Sequence, residues 1–572
     1  MRVLDSRRLT GQSLLLNRPG AVLEVTLENG VRDRAVIAWQ RAAQQLLVSV
    51  GWDKEKLVSR PFQGGVSLAL SAPVDGLYAA TDLNEEAWEA AAAELDGREP
   101  RDLIAAADRL RKLVVAERNP RLLALREAAR SRGLSFLSDE ETASVGSGTG
   151  ALVWPIHSIP DPSTIPWTRV HEVPIALVTG SNGKTTVVRL ISAMVRAAGK
   201  VPGSTSTDGV QVGEASLEEG DFSGPGGARL VLRHPKVETA ILETARGGIL
   251  RRGIAIERAT VAVVTNVAED HLGEFGVGSL HELAEAKLLV AKAVAEDGYL
   301  VLNADDPVLV EASSRVSLPI IWFSLEGAST LVESHAGSGG SAVILEDDHI
   351  VLLVGNQRTE IVRLADAPVT FGGTARYNVA NAMAAVAAAT GLEIKTPAIT
   401  AALRSFGRDA RDNPGRANLF ELGGAHVLID YAHNAHGMSA LVGMAQSIPA
   451  NRRLVMLGQA GDRDDGAIRD FARAAWELRP DRVVVKDTDQ YLRGRDLGEV
   501  PGLLADELTR LGTPSSSIYR APDEIDGVRD ALKWARQGDL LVLAVHQDRR
   551  QVLGLFDRMG SSGWKVGEPL PD

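Results

Sequence analysis

Cysteine is missing from all 572 residues. Its absence excludes disulfides, thiolate metal centres and a cysteine nucleophile. Long apolar runs are missing as well: no eighteen consecutive apolar residues occur, and the opening MRVLDSRRLTGQ contains no apolar signal region. Nor is there an excess of positive charge. The formal net charge is -12 and the pI is near 5.5, which argues against nucleic-acid binding, a local basic patch aside. A cytoplasmic protein with no membrane and no nucleic-acid partner is the expectation. Internal repeats and sustained low-complexity tracts are absent too. What is present is ordinary for a folded protein, 45% hydrophobic and 24% charged. A chain of 572 residues exceeds one hydrophobic core, so three domains are expected.

The pattern along the chain changes character twice. In AVLEVTLENGVRDRAVIAWQ, residues 21–40, two alternating runs flank Asn29-Gly30. That predicts a hairpin, because both turn residues tolerate positive φ. From about Asn84 the segments NEEAWEAAAAEL and RDLIAAADRLRKLVV read as helices. The Gly/Ser/Thr run 144–150 and the proline-spaced stretch 154–167 cannot continue a helix and read as a linker or extended arm. After Pro174 short apolar runs (PIALVT, VETAILET, ATVAVVTNV, GYLVLNADD) alternate with helix-length segments. Such runs predict a parallel sheet covered on both faces. Antiparallel strands follow between about 317 and 370, then a helix from Asn378 to Ala389. A second alternating series begins near Asn418 with HVLIDYA, RLVMLGQAG, DRVVVKD and DLLVLAVH.

The expected fold class is therefore α/β in three domains. A small N-terminal α+β domain occupies 1–165, a central P-loop domain with a mostly parallel sheet 166–412, and a Rossmann-like α/β domain 413–572. Gly180 to Thr186, Glu243, Asp270-His271 and Asp430 all end or follow apolar runs. In open parallel sheets, that carboxyl edge is where ligands bind.

The stretch VTGSNGKTT supplies Gly180, Asn182, Gly183, Lys184, Thr185 and Thr186 as G-x-N-G-K-T-T. Glycines let backbone N–H groups face phosphate oxygens, and a helix starting near Lys184 adds its positive end. Lys184 would pair with β/γ-phosphates and Thr185 would ligate Mg²⁺. The usual eight-residue loop has glycine where Val178 stands. Glu243 leaves an apolar strand, where a carboxylate is costly unless paired or metal-bound. It is a candidate metal ligand, and a salt bridge to Arg246 or Arg251 is the alternative. His271 suits a metal or a phosphate, or a satisfied structural role. Asn378 and Asn381 share one helical face near its start; they suit a purine edge, or an N-cap and a packing residue. Arg416, Asp430 and His433 are individually ambiguous.

Together and in order, these motifs resemble the Mur ligase family of ATP-dependent amide ligases. Ala435 replaces the proline of that family's D-Y-A-H-N-P motif, and Tyr377 stands where many members have histidine. TSTDG, GDFSGPGGARLVL, ETARGGILRRG, NVAEDHLG and RGRDLGE are similar to the Mur-ligase-like half of the cyanophycin synthetase branch over about 170–550. The opening residues and ARSRGLSFLSDEETASVGSGTGA resemble that branch's amino-terminal domain, but here the chain passes almost directly to the Mur-type loop, without the ATP-grasp region. One ligation activity is expected, not two.

The resemblance implies a mechanism. ATP phosphorylates a substrate carboxylate, and an amine attacks the acyl phosphate. Lys184, Glu243, His271, Lys287 and His433 are the implied catalytic residues, with Thr185, Glu243 and His271 holding Mg²⁺, one ion or two. Lys287 matches a position carbamylated in many relatives, and its state here is open. Asn378 and Asn381 would contact adenine, and Arg416 and Asp430 would approach ATP from the carboxyl-terminal domain. The implied partners are an amino acid, arginine or another, and an acidic peptide or polyamide acceptor; a homo-oligomer is left open. A nucleotide-binding scaffold without ligation is the alternative reading. A GTPase-type switch is poorly matched, since no convincing N-K-x-D motif is present.

Overall fold

The computed structural model describes residues 1–28, 30–270, 273–327 and 329–571. The chain opens with a four-stranded antiparallel sheet in the order Arg2–Leu9, Gly20–Thr26, Gly65–Ser71, Leu57–Phe62. Helices Arg32–Ser49 and Leu77–Leu95 cover it, burying Leu23, Val25, Leu68 and Leu70 against Trp39, Leu46, Leu83 and Trp88. Buried Trp39 donates from Nε1 to Asn84 Oδ1 at 2.9 Å, which satisfies the one polar atom of that ring.

The hairpin expected around Asn29-Gly30 does not form. Asn29 lies outside the described residues, and the second run is the helix Arg32–Ser49. Its buried residues, Ala35, Ala38, Trp39, Ala42, Ala43, Leu46 and Leu47, follow the helical spacing, which outweighs a short coincidental alternation. The expected linker is also folded. Phe136–Ser138, Thr142–Val145 and Leu152–Pro155 form a three-stranded antiparallel sheet. Val145, Ile159, Ile165 and Val170 bury a small core there with Leu122 and Leu125 of the helix Pro120–Arg130. Glycine and proline stop helices, but they leave strands of three or four residues intact.

The central sheet has eleven strands. Seven run parallel, in the order Pro202–Ser206, Thr239–Glu243, Ile175–Thr179, Ala259–Val264, Val294–Asn303, Ile320–Ser324, Ser341–Glu346. Antiparallel pairs extend both edges, including Ser341–Glu346 with His349–Val354. The strand Ile175–Thr179 shows why its sequence is apolar throughout. Ile175 and Leu177 face one core, while Ala176 and Val178 face the other. Helices Lys184–Ala197 and Arg376–Gly391 cover the second face. The last sheet has six strands, five of them parallel, and buries apolar residues on both sides.

The first sheet docks beside the carboxyl edge of the central one. Buried Arg7 pairs with Glu24 at 2.7 Å and Asp5 at 2.6 Å, donates to the Leu250 carbonyl at 3.3 Å, and stacks on Phe275. The backbone continues the joint, with Thr10 N–H donating to the Arg252 carbonyl and Ile254 N–H to the Gln12 carbonyl. Arg7→Ala would leave Glu24 buried without its cation and should cost about 3–5 kcal/mol. Denaturant unfolding checks this; a change within about 0.5 kcal/mol would contradict the role given to Arg7.

Candidate active site

A cavity of about 1370 Å³ lies where the carboxyl edges of the two parallel sheets meet. Gly180, Asn182, Gly183, Lys184, Thr185, Thr186, Glu243, Lys287, Asn378, Asn381, Arg416, Asp430 and His433 all line it. His271 lies outside the described residues.

The phosphate-type loop connects the strand Ile175–Thr179 to the helix Lys184–Ala197. Two glycines are required by space and by backbone conformation. A Cβ on Gly180 would sit 1.8 Å from Thr265 Oγ1, and one on Gly183 2.1 Å from Asn381 Oδ1; both have positive φ. The loop is pinned by the next strand. Ser181 N–H donates to the Asn266 carbonyl and Asn182 N–H to Asn266 Oδ1, both at 3.0 Å. Thr265 Oγ1 donates to the Asn182 carbonyl at 2.6 Å. Lys184 Nζ donates to the carbonyls of Gly180 and Ser181 at 3.1 Å, folding its charge over the loop.

Thr185 Oγ1 donates to Glu243 Oε2 at 2.8 Å. Glu243 is 2% exposed, and its Oε1 has no hydrogen-bond partner among the described residues. Burial raises its pKa, opposed by Lys184 and the Thr185 hydrogen bond. A buried carboxylate with one open lone pair beside a threonine hydroxyl fits a hard divalent cation that completes its shell with water and substrate phosphate. Among the described residues no group of three His, Cys, Asp or Glu side chains stands ready to cage a metal alone.

Lys287 extends from the helix Leu280–Leu288 and is 2% exposed. Burial first, then the like charge of Lys184, lowers its pKa to about 7, with Asp270 opposing. Asp270 forms an ion pair with Arg463 at 2.9 Å, joining the central and last domains. Arg246 pairs with Glu274 next to it.

The last domain closes the cavity through polar contacts to the loop itself. Asn434 Nδ2 donates to Asn182 Oδ1 at 3.1 Å, and Asn182 Nδ2 donates to His436 Nδ1 at 2.9 Å. Arg416 stacks on Tyr431 at 4.1 Å, and its buried Nε has no partner among the described residues. Asp430 Oδ2 accepts from Ala417 N–H at 2.8 Å; burial raises its pKa against the pull of Arg416. His433 is held near a pKa of about 3, by burial above all and also by Arg463, Lys184 and Arg416, with Asp270 opposing. It is a neutral imidazole. Its Nδ1 faces the Tyr431 carbonyl at 3.3 Å, so Nδ1 carries the proton and Nε2 is an acceptor.

Asn378 and Asn381 share a face but also bond one another. Asn381 Nδ2 donates to Asn378 Oδ1 at 3.2 Å, while Asn378 Nδ2 donates to the Val369 carbonyl at 3.0 Å. Thr265, Asn266, Arg463 and Gln459, which carry no role in the motifs above, also line the cavity. Thr265, Asn266 and Gln459 follow an apolar strand at its carboxyl end, the rule that finds the others; Arg463, well past Leu457 and just before the helix Asp465–Trp476, has no such signal.

The fold and cavity define a class, a phosphate-loop α/β protein with a second, Rossmann-like domain over the loop. The Mur ligase middle domain matches residues 178–389 and the Mur ligase glutamate ligase domain matches 415–545. The chain belongs to the Mur ligase family. It is 38% identical over 372 residues to cyanophycin synthetase of a Nostoc species, covering 65% of this chain and 41% of that protein. The chain thus spans about two fifths of the length of that relative. It is 28% identical over 389 residues to a UDP-N-acetylmuramoyl-L-alanyl-D-glutamate–2,6-diaminopimelate ligase of Xanthomonas campestris, covering 66% of this chain and 73% of that one. Among solved structures, E. coli FolC in complex with DHPP and ADP has the same fold, with a TM-score of 0.51 at 20% identity over 67% of this chain and 89% of that one. No helix among the described residues is long and apolar enough to cross a membrane.

Lys287 should be charged below about 7 and neutral above it. The Nζ resonance of ¹⁵N-lysine-labelled protein that disappears in Lys287→Arg should titrate with that midpoint. A midpoint near the ordinary ~10.4 would contradict the burial account.

Proposed function

We propose that the protein is an ATP-dependent carboxylate–amine ligase that forms an amide and releases ADP and phosphate. The observation that carries this reading is Glu243, buried at the carboxyl edge, tied to Thr185 of the phosphate loop and open at Oε1. In this reading, 1–165 is the amino-terminal domain, 166–412 binds ATP, and 413–572 closes over it.

The loop amides from Ser181 to Thr185 and the start of the helix Lys184–Ala197 cradle the ATP phosphates, with Gly180, Gly183 and Thr186 shaping the cradle. Lys184 leaves its carbonyl partners to meet the γ-phosphoryl group. Thr185 and Glu243 would hold Mg²⁺, which would neutralise phosphate charge. His271 joins the set by family resemblance, for a second ion or for the transferring phosphoryl. Asn381 and Asn378 face the base, and Arg416 with Asp430 approaches the ribose and phosphates. The acceptor carboxylate takes the γ-phosphoryl group, becoming an acyl phosphate. Domain closure through Asn434 and Arg463 excludes water that would otherwise hydrolyse it. The amine then adds to the acyl carbon, the tetrahedral adduct expels phosphate, which carries off the proton lost by the nitrogen, and amide remains. His433, neutral throughout, accepts a hydrogen bond from the incoming amine and orients it. Carbamylation of Lys287 fits its low pKa, since the neutral amine is the form that adds CO₂.

The acceptor is an acidic peptide or polyamide. Arg246, Arg251 and Arg252 line the cavity between the phosphate loop and the first sheet, and Leu4, Asp5 and Glu24 of that sheet form its far wall. The amine is arginine or another amino acid, as the likeness to cyanophycin synthetase suggests.

A panel of acidic peptides, each offered with each amino acid, should give one coupled product by mass spectrometry, with one ADP per amide. Lys184→Ala should lower turnover by at least about 10²-fold, the scale of losing one oxyanion-stabilising group. ATP binding with no acceptor-dependent turnover across the panel would instead favour a scaffold. ¹³CO₂ should label Lys287 with a carbamate resonance that Lys287→Arg abolishes; an unlabelled, active enzyme would show that the amine acts unmodified.

A further inference from the structure

Between the central and last domains, Asp208 lies outside the cavity and yet touches both. Asp208, in the TSTDG turn, bonds through Oδ2 to Arg189 at 2.6 Å and through Oδ1 to Arg549 at 2.7 Å. Arg189 belongs to the helix that begins at the phosphate loop, and Arg549 begins the final helix, Arg549–Ser562. Neither these arginines nor Asp208 lines the cavity. Arg189 also donates to Asn413 Oδ1 at 2.8 Å, and Asn413 Nδ2 donates to Thr186 Oγ1 of the loop at 3.2 Å. Asn413 lies in the turn that leads into the last domain.

The path of Arg549 is built for this contact. Its side chain crosses Gly415, where a Cβ would come within 2.4 Å of Arg549 Cδ; Gly415 also has φ of +70°. A residue with a side chain at 415 would block the reach to Asp208. On the loop side, Thr207 brings its hydroxyl to 3.5 Å from Thr185 Oγ1, so the turn carrying Asp208 also abuts the proposed metal ligand. Arg189 is partly buried, and its charge is supported chiefly by Asp208.

We propose that Asp208 is a positioning residue, a latch that ties closure of the last domain to the geometry of the phosphate-loop helix by binding Arg189 and Arg549 together. Its removal leaves two arginines facing each other across the domain joint, so the closed arrangement becomes repulsive there. The open enzyme admits water, and acyl phosphate is then lost to hydrolysis. The kinetic consequences rest on the ligase reading; the conformational one does not.

The absence of cysteine from the chain makes a direct test simple. Ser338→Cys and Ser561→Cys, at exposed positions of the two domains, accept one spin label each. In the full chain with ADP and Mg²⁺, Asp208→Asn should broaden and lengthen the distance distribution, and Asp208→Glu should restore it. Arg549→Gln should have the same effect, and the double variant should be no worse than either single one. With substrates, KM for ATP should rise about tenfold, the scale of removing one partner of a charge pair, and ADP released per amide should exceed one. An unchanged distance distribution, or loss of thermal stability and kcat together with one ADP still released per amide, overturns the latch. If no variant and no parent forms amide, the ligase reading fails, and the distance measurement still decides the latch.

Discussion

The arrangement depends on a carboxylate placed where carboxylates are expensive. Glu243 closes a strand buried on both faces, and burial pushes its pKa upward. The surrounding elements answer that cost: Thr185 donates to one oxygen and the charge of Lys184 lies near. The helix beginning at Lys184 fixes Thr185, and the adjacent strand fixes the loop through Thr265 and Asn266.

The same economy of charge appears across the domain joint. The last domain meets the loop with amides, Asn434 against Asn182, and meets the central domain with ion pairs, Arg463 to Asp270 and Arg549 to Asp208. Desolvation keeps His433 neutral and lowers Lys287 toward neutrality, so two potential cations lose charge where phosphate and metal would dominate. The first sheet contributes its own wall through Asp5 and Glu24, held by Arg7.

Much of this was legible in residues alone. Apolar strands before Gly180 and ending in Glu243 mark the carboxyl edge of one sheet and the strand ending in Asp430 that of another, and the cavity lies between them, because a parallel sheet covered on both faces leaves its carboxyl ends for ligands. The helix after the loop, the parallel order and the second α/β unit followed from the same periodicity. The helix Arg32–Ser49 was misread because a few alternating residues mimic a strand until a longer window reveals the 3.6-residue spacing. The stretches 144–150 and 154–167 read as a linker because glycine and proline report only what a helix cannot do, yet strands pair on either side of the first. Partners separated by hundreds of residues, such as Arg463 with Asp270 or Arg549 with Asp208, leave no local signal at all. Nor does a pKa, which burial sets only after the chain has folded.

The central claim is that a phosphoryl group passes to the oxygen of a substrate carboxylate. An acceptor bearing ¹⁸O in that carboxylate, coupled to its amine by the wild-type chain, tests it directly. Collapse of the acyl phosphate to amide must leave one labelled oxygen in each phosphate released, visible by mass spectrometry or as a ³¹P isotope shift. One ¹⁸O per phosphate is the result expected; phosphate carrying no label from the acceptor, while amide accumulates, would contradict the account.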